Sequence, residues 1–196
     1  MCLVTEQNNV KIADKDIVCW KVVEILDGIN NSRLHVTPYM FKHITEDVLD
    51  GRVSFKSDEY YRHYELYGKF SVINEGYIHT YAVPDNNDIH SDTDNFINVI
   101  GGHLEYVNKR ETFVFSGMLP NCGTCPFCIG IALFRCVIPA GTEYLQGYDN
   151  DDTEFKCYAS REIVFKEKLA EWNHKCDFSK EQILKILEKE TENICN

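Results

Sequence analysis

The longest apolar run in this sequence, residues 129–138 (IGIALFRCVI), is interrupted by Arg135 and rich in β-branched side chains. A bilayer-spanning helix needs about 20 consecutive apolar residues, so this run reads as a strand buried on both faces. Its counterpart near the start, residues 17–26 (IVCWKVVEIL), has the same character and ends at the turn signal Asp27-Gly28. A chain carrying two such runs must cover both faces of a sheet. Further strands are expected at 52–56, 69–74, 76–83 and 161–166, with 143–148 and 155–158 forming a hairpin after the turn Pro139-Ala140-Gly141. Helices are expected at 38–50, with Gly51 as the stop, and at 91–108, capped by Asp92 or Asp94. A third opens with Ser179-Lys180-Glu181-Gln182, a capping-box pattern, and continues through Glu190 with Ile183, Leu184, Ile186 and Leu187 on its buried side.

Strands outnumber helices and cluster late, which predicts an α+β fold with mostly antiparallel, strongly twisted sheet and a few peripheral helices. No linker or repeat divides the chain. Residues 1–14 read as a loose N-terminal arm, 15–176 as a single α+β domain, and 177–196 as a C-terminal helix packed on it. At 196 residues, with 44% hydrophobic and 26% charged side chains, the chain has enough apolar material for one full core.

Charge narrows the partners. Thirty-one acidic against 20 basic side chains leave a formal net charge of −11, which opposes a long nucleic acid because phosphate contacts need clustered Lys and Arg. A small nucleotide or a protein partner remains open. The first residues hold no basic segment followed by an apolar core, so neither a signal peptide nor a membrane anchor is expected, and the chain reads as cytoplasmic. In that reducing setting an odd count of nine cysteines is most simply a set of free thiols.

Cys122, Cys125 and Cys128 form the densest chemical signal. Two-residue spacings with Gly123 and Pro126 suit the tight turns of a zinc knuckle. Structural zinc takes four ligands, and spacing does not choose a fourth among Cys136, Cys157 and His103. Free loop thiols account for the same three residues without a metal. Cys2 would become an N-terminal nucleophile after loss of Met1, but the polar stretch that follows does not suit such a site. The acidic segment 149–154 fails the calcium-loop pattern, with Glu154 at its sixth position and Ser160 at its twelfth. No HExxH, GxSxG, phosphate-loop or GxGxxG pattern is present.

Three segments in order resemble the ADP-ribosyltransferase fold. Lys21 stands on the early strand where that family carries a dinucleotide-gripping Arg or His. The run Gly76-Tyr77-Ile78-His79-Thr80-Tyr81 is similar to its glycine–aromatic–x–Ser-Thr-Ser strand. Residues 138–142 (IPAGT) and 158–165 (YASREIVF) are similar to its proline-x-glycine turn and Glu-x-Glu strand, with Ser160 at the first glutamate and Glu162 at the catalytic one. The late pattern also resembles small uncharacterised proteins of gut bacteria and their phages.

The first resemblance implies NAD as cofactor and a transferase or hydrolase activity. Glu162 would stabilise an oxocarbenium-like cation and hold a ribose hydroxyl, with Ser160, Glu162 and Val164 on one strand face. Lys21 would meet pyrophosphate, and His79, Thr80 and Tyr81, with Tyr77, would line the nicotinamide side. The rival reading is a non-catalytic interaction module of bacterial or phage origin, with zinc as an optional structural element.

Overall fold

The structure is a computed structural model and describes residues 3–6, 10–27, 33–36, 43–45, 54–56, 63–66, 70–73, 77–115, 127–149, 155–173 and 179–194. In chain order these form β1 (Leu3–Glu6), β2 (Val10–Ile12), β3 (Ile17–Asp27), β4 (Arg33–Val36), β5 (His43–Thr45), β6 (Ser54–Lys56), β7 (His63–Leu66), β8 (Phe70–Ile73) and β9 (Ile78–Ala82). Helix α1 (Thr93–Phe115) follows, then β10 (Phe127–Ile138), β11 (Glu143–Asp149), β12 (Lys156–Ser160), β13 (Glu162–Asn173) and helix α2 (Lys180–Ile194). Every strand pairing among the described residues is antiparallel. The architecture is therefore a mostly antiparallel sheet with two helices, one of them C-terminal.

The two apolar runs lie side by side at the centre. Strands β3 and β10 pair without a register shift from Ile25 opposite Gly130 to Ile17 opposite Ile138. Alternation along β3 sends Trp20 and Val22 to one face and Cys19, Val23 and Ile25 to the other, and two separate clusters form there. The first cluster gathers Trp20, Tyr81, Leu133, Phe155 and Trp172 with Phe96 and Ile100 of α1 and Ile183 of α2. The second holds Cys19, Ile78, Phe134, Cys136, Ile163 and Phe165. Complete burial of each large apolar side chain stabilises the fold by about 1.5–3 kcal/mol before entropy is counted.

The sheet is curled rather than flat. Along its hydrogen-bonded path β13, β10, β3, β9 and β12 are consecutive neighbours. Strands β12 and β13 are nevertheless joined by the single residue Arg161. Four strand spacings in a flat sheet span about 19 Å, whereas two residues of extended chain reach at most about 7 Å. The sheet must therefore bend round until Ser160 and Glu162 meet, and the second cluster occupies the inside of that bend. Register shifts in the β10–β13 ladder at Leu133/Phe134 and Arg135/Cys136 supply local twist.

Several expectations change. Residues 1–14, read as an arm, contribute β1, which pairs with both β8 and β11, and β2, which pairs with β11. Leu3 is fully buried there, so burial and backbone pairing outweigh the polar composition. Within the expected helix 38–50, His43–Thr45 is instead a strand paired with β4, and the remaining residues lie outside those described. Helix α1 runs on to Phe115 through Gly101-Gly102, and Asp92 Oδ1 accepts from the Asn95 amide at 2.6 Å as its cap. At α2 the Ser179 amide donates to Gln182 Oε1 at 3.1 Å, as the capping-box pattern requires. No helix among the described residues is long and apolar enough to cross a membrane.

Candidate functional site

Lys21 is buried among the second cluster, with Phe134 opposite it on β10. Its Nζ donates to the main-chain carbonyl of His79 at 2.6 Å. Burial pushes the ammonium down to about 8, with Cys136 and Cys19 acting in the other direction. The group is thus spent on the fold, inside the bend, and faces no solvent from which a pyrophosphate would arrive.

The neighbouring β9 residues part to opposite faces. Tyr81 stands opposite Trp20 and Cys157, which belong to the first cluster, so alternation puts His79 on the helix side and Thr80 with Lys21 on the inside. His79 is buried with neither ring nitrogen hydrogen-bonded among the described residues, and burial first, then the Lys21 charge, lowers it to about 3. Thr80 is buried beside the Cys19 thiol. Tyr81 packs edge-on against Phe96 at 5.9 Å and Phe155 at 6.0 Å. These side chains meet through the core and not across a cleft.

Ser160 and Glu162 also part. Ser160 is buried at the end of β12, opposite Ile78, and its Oγ donates to the Glu162 main-chain carbonyl at 3.0 Å. Ile163 and Phe165 turn into the second cluster, so Glu162 and Val164 lie on the reverse side of β13. The shared face expected for Ser160, Glu162 and Val164 does not form, because Arg161 breaks the strand between them. Glu162 itself is half-buried at the start of β13, in register with Lys56.

Cys122 and Cys125 lie outside the described residues. Cys128 falls within β10, opposite Leu26. Among the described residues no group of three or more His, Cys, Asp or Glu side chains converges as a metal site. Cys136 and Cys157 are buried, the Cys157 thiol donating to the Phe155 carbonyl at 3.0 Å, and His103 is bonded to Tyr81.

Two polar constellations had no signal in sequence spacing. In the first, the Tyr81 hydroxyl meets His103 Nε2 at 2.7 Å and donates to buried Asp149 at 3.4 Å, and burial holds His103 down at about 3. In the second, Tyr77 donates to Glu143 Oε1 at 2.8 Å, Arg161 Nε approaches the same oxygen at 3.7 Å, and the guanidinium stacks 4.3 Å over the Tyr77 ring. Each joins three residues that are remote in sequence and that no local pattern connects. Arg161 is held further by its amide, which donates to the Glu143 carbonyl at 3.2 Å, and this pins the bend between β12 and β13.

No protein-family model matches this chain, and neither a curated protein nor a solved structure does.

Proposed function

We propose that this chain is a polypeptide-binding module carried on a curled antiparallel sheet. The observation that supports it best is the commitment of Lys21 to the His79 carbonyl inside the sheet, which removes the side chain that a dinucleotide would need. A second support is β2, all three of whose residues are exposed, with Val10 at 49% and Ile12 at 63%. An apolar strand of this kind offers main-chain groups and alternate side chains to an extended partner. The net charge of −11 favours a partner carrying Lys or Arg through long-range attraction.

The competing reading is an NAD-dependent transferase or hydrolase with Glu162 as its carboxylate. Its support is the half-buried position of Glu162 next to the Tyr77–Glu143–Arg161 constellation. Titration calorimetry separates the two. With NAD raised to millimolar concentration, the module reading expects no saturable heat. Saturable heat that disappears in Glu162→Gln at unchanged Tm would establish the transferase reading instead. For the module, selection from a random-peptide library is expected to enrich basic residues beside apolar ones. A Val10→Asp/Ile12→Asp double variant is expected to lose those peptides while keeping its Tm.

A further inference from the structure

Cys19 and Cys136 are direct cross-strand partners at the centre of the molecule. They stand opposite each other on β3 and β10, in a ladder that keeps one register from Gly130 to Ile138. Both side chains are fully buried free thiols of the same inner cluster. Directly opposed residues of an antiparallel pair have Cα atoms about 4.5–5.5 Å apart, inside the range of about 4.4–6.8 Å that a disulfide bridges. Cys157 is excluded from this chemistry, because it belongs to the cluster on the other face of the sheet.

We propose that Cys19 and Cys136 form an oxidisable dithiol that closes as a cross-strand disulfide and fastens β3 to β10. The bond forms by exchange with a small-molecule disulfide. One cysteine thiolate attacks a sulfur of that disulfide and releases one small thiol, leaving a mixed disulfide. The second cysteine then attacks the protein sulfur and expels the other small thiol. Two S–H bonds and one S–S bond are consumed; one new S–S bond and two small thiols result, and the two electrons pass to the oxidant.

Access sets the rate. With both thiols buried and their pKa raised, Cys19 to about 12, exchange waits for local opening of the sheet. The pair therefore answers lasting oxidation rather than a brief pulse. Because the two residues are remote in sequence, the closed form constrains the unfolded chain strongly.

The test uses the full chain, refolded from denaturant in a buffer of oxidised and reduced glutathione so that burial cannot block exchange. It is then alkylated, digested and mapped by mass spectrometry. The expected product is a Cys19–Cys136 linked peptide, lighter than its two parts by two hydrogens, with Cys157 alkylated. Its Tm should exceed that of the reduced chain by about 5–15 °C. Cys19→Ser and Cys136→Ser should each abolish both the link and the shift. Recovery of Cys19 and Cys136 in alkylated form, linkage of either to another cysteine, or a link that leaves Tm unchanged or lower would overturn the proposal.

Discussion

Lys21 shows how one side chain constrains its surroundings. A buried ammonium whose one acceptor among the described residues is the His79 carbonyl is costly to keep charged. Its folded pKa, about 8, lies below the ordinary value of 10.5, so between those limits the unfolded chain binds more protons than the folded one. Stability attributable to this group is therefore lowest below pH 8 and rises as pH climbs toward 10.5. Lys21→Met has no such dependence. Measured by urea unfolding, the stability of Lys21→Met relative to wild type should fall by about 3 kcal/mol between pH 7 and pH 11. A pH-independent difference would mean that Lys21 is hydrated in the folded chain. His79 makes the related point from the opposite face. The resemblance implied that His79 faces a nicotinamide, yet its ring is enclosed, and enclosure is a property of neighbours that spacing does not contain.

At the scale of elements, the sheet depends on close backbone approaches as much as on side chains. Gly147 of β11 lies where a Cβ would collide with the Val4 carbonyl of β1. Gly147→Ala should therefore push β1 off its neighbour and cost about 2 kcal/mol or more in chemical unfolding. Gly141 marks a different constraint. Its φ of +82° and the bond from the Thr142 amide to the Pro139 carbonyl at 3.1 Å complete the turn read from Pro139-Ala140-Gly141. Helix α2 is tied down by polar contacts that its amphipathic pattern does not reveal. Trp20 donates to Glu190 at 3.4 Å, and Arg135 bridges Glu190 at 3.6 Å and Glu167 at 2.6 Å. Burial raises the Glu190 carboxyl, and Arg135 counteracts that rise. The one charged residue interrupting the longest apolar run is thus a clasp between sheet and helix.

For the molecule as a whole, stability should follow the sheet inward to β3 and β10. Native-state hydrogen exchange is expected to find the slowest amides among residues 19–25 and 131–136, and fast exchange along β2, whose residues are all exposed. Comparable protection in β2 would argue that its edge is covered. The central strands, the hairpin, the turn and both helix caps were legible in the sequence because each rests on local physics. Apolar alternation, the conformational limits of Pro and Gly, and capping side chains all act within a few residues. Strands β1 and β2 were not legible, since their pairing depends on edges supplied by distant segments.

The candidate site divides in the same way. The sequence by itself determined that Lys21 and His79 sit on strands, and that Cys19 and Cys136 belong to apolar runs. Only the tertiary structure decided which way those side chains face and that the two thiols stand opposite each other. The reason is the bend at Arg161, which folds the sheet back on itself and converts strand positions into an inside and an outside.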